Sequence, residues 1–224
     1  MSVARGKSEG VEVKAETAAG QNVPSRQRLL NAALHVIREQ GYAGTTVDDL
    51  CAAAGVTKGS FFHHFKSKDD LALAAIAYWR EMTEGLFAAA PYHQPADPVD
   101  RLIGYVDFRA AILTGETSEF TCLLGTLVQE TYHTHPHIRE ACEAALAAHV
   151  AALTVDVEAA KKLCAPRAKW AAESVGTFMQ SVLQGAFIFA KAKQTPQPAR
   201  EAIDHLRRYI EMLFPRDERA QKRR

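Results

Sequence analysis

The chain is a succession of amphipathic stretches in which apolar residues recur every three or four positions, separated by short polar breaks. This spacing is the period of α-helices that are packed on one side. After Pro24 such a stretch runs to Gly41, with Ser25 as its expected N-cap. Three further helices are predicted at 47–54 with Thr46 or Thr45 as the cap, from Thr57 to near Phe65, and from Ser67 to Pro91.

Prolines divide the second half of the chain. Residues 91–98 contain three prolines and are predicted to form a loop. The alternation of apolar and polar positions that marks a half-buried strand is not found along the sequence. Later helices are predicted at 98–114, 119–133, 136–163, 166–193 and 197–213, so the predicted fold class is all-α.

The segment from Thr45 to Leu71 has the spacing of a helix-turn-helix. Gly55 marks the turn, and Cys51 is a small residue at a point where two helices must approach closely. Phe61 and Phe65 are expected to be core residues that hold the two helices at a fixed angle. On this spacing alone, an ordinary helical hairpin in a bundle is the alternative.

Charge helps to separate these alternatives. The net charge is only +1, so a nucleic-acid partner would have to be met by a local basic surface. No acidic residue occurs between Asp49 and Asp69, whereas Lys58, Lys66, Lys68 and two histidines do. This acid-free window favours a DNA-binding segment over a helical adaptor that never binds DNA.

Composition limits the remaining classes. Hydrophobic residues make up 47% of the chain, which allows a packed core, and no apolar run approaches the roughly 18–20 residues needed to span a bilayer. Four cysteines are scattered without a CxxC pair, a pattern typical of free thiols in a reducing compartment. We therefore expect a cytoplasmic protein without membrane association.

The string GVTKGSFFHHFKSKDDL makes the helix-turn-helix prediction far more specific. It closely resembles the TetR/AcrR family of transcriptional regulators, and the resemblance covers about residues 25–75. The family implies an all-α homodimer, with an N-terminal three-helix DNA-binding domain and a C-terminal helical domain for ligand binding and dimerisation. It further implies a double-stranded DNA operator and a small-molecule effector as partners, with no cofactor and no enzymatic activity.

The resemblance assigns DNA-binding roles to particular positions. His64 and Lys68 match positions that contact the DNA backbone, and Thr46 caps the helix that leans on a phosphate. Family members often have tyrosine at the position of Phe62, so this side chain is expected to touch a thymine methyl group or to pack. The residues expected on the recognition helix are Thr57, Lys58, Gly59, Ser60, Phe62 and His63.

The predicted domain organisation has four parts. Residues 1–23 are polar and predict a disordered arm, and residues 215–224 form a basic tail. The DNA-binding domain is predicted at 24–84, with its helix-turn-helix at about 47–66, and the ligand-binding and dimerisation domain at 85–214. The last two helices are expected to form the dimer, where Gly176 and Gly185 would permit close helix approach.

Aromatic, amide and thiol residues of the second domain are candidates for an effector site, because small-molecule pockets are mostly apolar with a few polar groups. Packing in the core or at the dimer interface is the alternative for these side chains. His93 and His149 are expected at the surface. The candidate ligand-binding residues are Phe108, Phe120, Cys122, Phe178, Gln184 and Lys191.

Two alternative functions remain open. One is a thiol-based redox or electrophile sensor, because one subgroup of the family has a cysteine near the position of Cys122 and a lysine near that of Lys191. The other is an all-α metal-dependent enzyme that uses His133, His135 and His137. Pro136 breaks the geometry of that tract, and no nearby cysteine or carboxylate completes an obvious ligand set, so we predict no metal site.

Overall fold

The computed structural model describes residues 23–215, and within them it is helical without strands, which confirms the all-α prediction. Apart from Val23 and Pro215, the predicted arm and the predicted basic tail lie outside the described residues. The helices are α1 (Ser25–Gln40), α2 (Val47–Ala54), α3 (Lys58–His64), α4 (Lys68–Ala88), a 3₁₀ turn (Pro91–His93), α5 (Pro98–Ala111), α6 (Thr117–Phe120), α7 (Leu123–Thr131), α8 (Pro136–Cys164), α9 (Ala172–Lys193) and α10 (Gln197–Leu213).

Side-chain caps fix the starts of three helices in the first half. The Thr46 hydroxyl accepts a hydrogen bond from the Asp49 amide, and the Asp49 carboxylate accepts one from the Thr46 amide, which is a complete capping box. The Thr57 and Ser67 hydroxyls cap α3 and α4 by accepting hydrogen bonds from the amides of Ser60 and Asp70, without the reciprocal contact. The predicted cap at Ser25 is wrong, because Pro24 occupies the N-cap position and the Ser25 hydroxyl instead lies 2.7 Å from Nε2 of His64.

Two helices of the second half are shorter than predicted. The helix predicted at 119–133 is divided into α6 and α7, since Thr121 and Cys122 are extended. The helix predicted at 166–193 begins only at Ala172. Residues 166–171 are not helical because Lys161 donates to the Trp170 carbonyl (2.7 Å), and the Trp170 ring packs edge-on against Phe214 at the far end of α10.

Two hydrophobic cores organise the molecule. The second core lies among α5, α8, α9 and α10. The first core joins buried residues of α1–α4 to the start of α7 and α8, so that Leu29 and Phe61 share one cluster with Leu127 and Ile138. Helix α4 continues without a break past residue 84. The domain boundary predicted there does not coincide with the end of a helix and stays a prediction.

Polar contacts reinforce the join between the helix-turn-helix segment and the second half. The Glu130 carboxylate at the end of α7 accepts hydrogen bonds from the amides of Tyr42 (3.1 Å) and Ala43 (2.8 Å) in the loop before α2. Arg38 of α1 donates to the carbonyls of Glu119 (2.8 Å) and Thr121 (3.3 Å). The loop that leads into α2 is therefore held by a side chain of the second half.

A buried polar chain crosses the second core. The hydroxyl of Tyr105, which is almost fully buried, accepts a hydrogen bond from the Gln180 amide (2.8 Å) and lies 3.0 Å from Nε2 of His149. Burial, and then the nearby Arg109 cation, lower the pKa of His149 to about 4. His149 is thus neutral at physiological pH, and it joins α8 to α5 through the Tyr105 hydroxyl.

None of the helices within residues 23–215 combines the length and the apolar character needed to cross a membrane.

The depressed pKa of His149 predicts a specific pH dependence of stability. Between the ordinary value of 6.5 and the folded value of about 4, the unfolded chain binds a proton that the folded chain does not. The free energy of unfolding should therefore fall as the pH falls through this window. Urea unfolding at pH 7 and pH 5 should show a smaller loss of stability in His149→Gln than in the wild type. His205→Gln, an exposed histidine of α10, is the control and should behave like the wild type, and an equal loss in all three proteins would contradict the assignment.

Loss of the Glu130 carboxylate should destabilise the protein. In Glu130→Ala the amides of Tyr42 and Ala43 lose their acceptor. The first contact is partly buried and the second is exposed, so water replaces part of each, and we expect a loss of about 1 kcal/mol, the net value of a typical hydrogen bond. In Glu130→Gln one acceptor oxygen remains, so we expect a smaller loss in urea unfolding. Glu140→Ala, an exposed position on α8, is the control; a Glu130→Ala protein as stable as this control would show that the contact contributes nothing.

Candidate functional site

Helix α3 presents one apolar face to the protein and an opposite face to solvent. Phe61 is fully buried, and Phe65 just after the helix is nearly so, whereas Phe62 is 56% exposed. Phe61 contacts both other rings, with centroids 5.1 Å from Phe62 and 5.9 Å from Phe65. The core assignment of Phe61 and Phe65 is confirmed, and Phe62 is left as an apolar side chain on an open surface.

The turn between α2 and α3 sets the angle of this surface. Gly55 has a left-handed backbone (φ 60°, ψ 40°), which residues with a Cβ adopt only with strain. Its amide closes α2, and its carbonyl accepts a hydrogen bond from Arg28 of α1 (3.2 Å). The turn is therefore fixed to α1 as well as to α2.

The first turn of α3 carries the polar candidates. Thr57 accepts a hydrogen bond from the Ser60 amide (3.1 Å), and a Cβ at Gly59 would lie 3.7 Å from the same Thr57 hydroxyl. The Lys58 ammonium lies 2.8 Å from the Asp48 carboxylate, which holds the pKa of Lys58 above its ordinary value. Both partners are well exposed, so a stronger anion could displace Asp48.

The two residues predicted to contact the DNA backbone also hold the protein together. His64 is bonded to Ser25 at the start of α1. The Lys68 ammonium donates to the carbonyls of Tyr42 and Thr45 (both 2.9 Å) and lies 4.2 Å from the centre of the Tyr42 ring. Two of the three N–H groups of the Lys68 ammonium thus donate to the loop before α2, and the third is not used by that loop.

Behind this surface lies a cavity of about 730 Å³, between α1 and α4 on one side and α5, α8 and α9 on the other. Its volume is in the range of small-molecule sites. The walls are mainly apolar, with three guanidinium groups, two imidazoles, two amides and three carboxylates among them. The lining residues include Arg38, Trp79, Phe87, Arg109, His149 and Phe187.

Three of the six predicted ligand-binding residues line this cavity, namely Phe120, Cys122 and Gln184. The other three are not among its lining residues. Phe108 packs in the second core against Phe87 and Tyr92 (5.7 and 5.9 Å between ring centres), and Phe178 stacks on Tyr209 of α10 (4.7 Å). The Lys191 ammonium donates to the Thr126 hydroxyl (2.6 Å).

Charged lining residues were missed by reasoning from the sequence. By residue type alone, a solvated surface position is the usual expectation for Arg38, Arg109 and His149. The prediction of a surface position for His149 is wrong, because this side chain lines the cavity. Their spacing holds the missing signal. Arg109 follows Leu102 and Tyr105 by seven and four positions, and His149 follows Cys142 and Ala145 in the same way, so each lies on the apolar stripe of its helix.

Cys122 and Lys191 meet at one residue. The Thr126 hydroxyl accepts a hydrogen bond from Lys191 and donates to the Cys122 carbonyl (3.0 Å). Burial lowers the pKa of Lys191 below its ordinary value. The Cys122 side chain is partly buried and lines the cavity beside these groups.

The histidine tract is placed at the junction of the two halves. His137 lies 3.2 Å and His135 3.9 Å from the Asp69 carboxylate at the start of α4, which also accepts a hydrogen bond from the Tyr42 hydroxyl. The Tyr42 hydroxyl first, and then the two histidines, hold the pKa of Asp69 below its ordinary value. Among residues 23–215 no group of three or more His, Cys, Asp or Glu side chains is arranged to hold a metal ion, so the structure gives the metal-dependent enzyme no support.

Two family models match the chain in succession. Residues 29–75 match the bacterial regulatory proteins of the tetR family, and residues 98–205 match the C-terminal domain of LmrA/YxaF-like transcriptional regulators. The first match covers the helix-turn-helix with the helices before and after it. The second covers most of the cavity walls.

Individual relatives agree with these models. The transcriptional repressor DhaR of Mycobacterium sp. (strain GP1) is 32% identical over 107 residues, which are 48% of this chain and 52% of DhaR. The HTH-type transcriptional regulator YxaF of Bacillus subtilis is 25% identical over 175 residues, 78% of this chain and 88% of YxaF. The chain spans about half the length of the curated relatives that it matches first.

The fold is also that of a solved regulator. The crystal structure of regulatory protein TetR from Rhodobacter sphaeroides superposes with a TM-score of 0.73 and 25% identity, and the match covers 82% of this chain and 97% of that one. The helix-turn-helix segment, the helical second half and their order along the chain are thus found together in known regulators. The chain belongs to the TetR family of bacterial transcriptional regulators.

Proposed function

We propose that this protein is a ligand-responsive transcriptional repressor, which binds a palindromic DNA operator as a homodimer and is released by a small effector. The observation that carries the proposal is the outer face of α3, where the exposed Phe62 stands beside Lys58 and His63 while Phe61 anchors the helix from below. An exposed aromatic ring among basic side chains matches the edges and phosphates of a DNA groove. Its place of action would be the cytoplasm, where bacterial DNA lies.

In this proposal α3 enters the major groove. Lys58, Ser60 and His63 reach base edges or nearby phosphates, and Phe62 contacts a thymine methyl group. Gly59 has no side chain, which would allow the backbone of α3 to approach the DNA closely. The Lys58 ammonium leaves Asp48 for the DNA, because a duplex concentrates far more negative charge than one exposed carboxylate.

Backbone contacts would position this helix. Thr46, Thr57, His64 and the remaining donor of Lys68 lie around the start of α2 and both ends of α3. Contacts of this kind fix the register of a protein on DNA without reading the sequence.

A homodimer is supported by apolar side chains that the monomer leaves in solvent. Large exposed residues gather on α8 and α9, and scattered single residues of this kind are more usual on a monomer surface. Gly185 has open space where a Cβ would stand, as a close helix crossing with a second copy would need, whereas Gly176 packs against Val150 and Thr154 of α8 within the chain. Of the large apolar residues that are exposed within residues 23–215, those on α8 and α9 are Val155, Leu163, Phe178, Ile188 and Phe189.

The route from the cavity to the DNA surface runs through α1 and α7. Arg38 lines the cavity from α1 and is bonded to the α6–α7 connection, and Glu130 at the other end of α7 holds the loop that leads into α2. An effector that shifts α7 would therefore shift the loop before the DNA-reading helices. A difference of about 1–3 kcal/mol in effector affinity between the two arrangements is enough for release.

Replacement of Lys58 should weaken operator binding and its salt dependence. Each lost phosphate contact should make the slope of log K against log salt shallower by about 0.9. Gel-shift titrations at several salt concentrations, on an operator selected from random DNA, would measure this for Lys58→Ala and, with a smaller change, for Lys68→Ala. Asp48→Asn frees the Lys58 ammonium and should strengthen binding.

The control for charge alone is Lys162→Ala, which removes an exposed lysine on α8, far along the chain from α3. It should bind like the wild type. An unchanged affinity and slope in Lys58→Ala would mean that α3 does not face the DNA as proposed.

Phe62 should contribute to sequence recognition and little to folding. Phe62→Ala is expected to bind the operator several-fold more weakly while its midpoint of urea unfolding stays near that of the wild type, because the ring is mostly exposed. Phe62→Tyr keeps the ring and adds a hydroxyl that can donate to a phosphate, so its affinity should be retained. A Phe62→Ala protein with full operator affinity would remove Phe62 from the proposed contact set.

A further inference from the structure

We propose that the effector is a mainly apolar carboxylate, whose anionic group is held by Arg109 inside the cavity. This inference rests on the proposed function, because it specifies the chemical class of the effector that the cavity would take. Its basis is the position of the Arg109 guanidinium, together with the ion pairs and hydrogen bonds that the other charged groups of the cavity form with the protein.

Arg109 is a cation in apolar surroundings. Its guanidinium carbon lies 5.4 Å from the centre of the Phe87 ring and 5.7 Å from that of Phe187. Its Nε atom is buried and has no hydrogen-bond partner. The adjacent Tyr105 hydroxyl is a neutral group, because burial raises the pKa of Tyr105.

The carboxylates that line the cavity are engaged elsewhere. Asp156 pairs with Arg101 at 2.8 Å, and Glu84 pairs with Arg80 at 3.5 Å on the exposed rim. Glu119 accepts a hydrogen bond from the Glu116 amide (2.6 Å). Within residues 23–215 no acidic side chain forms an ion pair with Arg109.

The Arg38 guanidinium also lines the cavity, but its hydrogen bonds go to backbone carbonyls of the protein. Arg38 donates to the carbonyls of Leu34, Glu119 and Thr121, and it lies 4.9 Å from the centre of the Trp79 ring. Its hydrogen bonds thus hold α1 to the α6–α7 connection. Arg109 contacts two ring faces and hydrogen-bonds the neutral Tyr105 hydroxyl, so its charge can still be met by the anionic group of a ligand.

The cavity chemistry favours a carboxylate over other anions. A planar guanidinium matches a carboxylate with two parallel hydrogen bonds, and a buried cation gains most from an anion that brings its own apolar body. A guanidinium can pair with a phosphate in the same bidentate way, but a phosphate carries up to two charges, and the other guanidinium groups of the wall, Arg38 and Arg80, are already bonded to protein groups. The rings of Trp79, Phe87, Phe120 and Phe187 provide the surface for the apolar body.

Matched pairs of ligands test the proposal directly. We would titrate the full chain by calorimetry with octanoate, 4-phenylbutyrate and 2-naphthoate, each beside its primary carboxamide, which has the same shape without the charge. At least one carboxylate should bind, about tenfold or more tighter than its amide, since a buried charge-assisted pair is worth about twice a neutral hydrogen bond. In Arg109→Gln this preference should fall to about twofold or less.

Two further variants make the test specific. Arg109→Lys keeps the charge but not the planar fork, so it should retain an intermediate preference and would remain informative if Arg109→Gln folded poorly. Arg80→Gln removes a cation at the exposed rim and should keep the full preference. Each variant would first be compared with the wild type by urea unfolding.

The inference is wrong if none of the three carboxylates binds, if the amides bind as tightly, or if the preference survives in Arg109→Gln. Operator binding by the same wild-type preparation is measured without ligand, so the two proposals fail separately. DNA binding without a carboxylate preference would overturn only the effector class. A carboxylate preference without DNA binding would overturn only the proposed function.

Discussion

The structure depends on the packing of α1 against α7 and the start of α8. Leu29 and Ile37 of α1 share one buried cluster with Leu127 and Ile138, so the helix-turn-helix segment has no core that is separate from the second half. The Glu130 carboxylate also fixes the loop before α2 relative to α7, because it accepts hydrogen bonds from two adjacent amides of that loop. Close-packed interfaces of this kind move as units, so a shift of α7 would be passed on to that loop.

The cavity lies beside the same join, and Arg38 is one of the polar groups in its mainly apolar wall. Burial lowers the pKa of Arg38 to about 10, which still leaves it a cation at neutral pH, and its hydrogen bonds all go to carbonyl groups. These hydrogen bonds hold α1 in place. Because their acceptors are uncharged carbonyl groups, they leave the positive charge of Arg38 in the cavity wall. The cavity wall is thus part of the support of α1, which gives a physical reason why a ligand there would be felt at the recognition helix.

Much of the fold could be predicted from the sequence, because caps, prolines and apolar spacing are local signals. Thr46, Thr57 and Ser67 cap the helices that their positions predict. The division of α6 from α7 could not be predicted, since Thr121 and Cys122 are extended through contacts of Arg38, which is more than 80 residues away along the chain. The cavity could be predicted only in part: Phe120, Cys122 and Gln184 were found by residue type. The spacing of Arg109 and His149 puts each on the apolar stripe of its helix, but the sequence does not show that the two stripes meet at one cavity.

The central claim is that the cavity and the DNA-reading helices are coupled through the loop that Glu130 holds. Hydrogen exchange at the amides of Tyr42 and Ala43 tests it most directly, because these two groups form the join. Both amides should exchange slowly in the free protein, become more protected with operator DNA, and become less protected with a carboxylate that binds the cavity, as reciprocal linkage requires. Exchange at the rate of an exposed loop, unchanged by either partner, would contradict it.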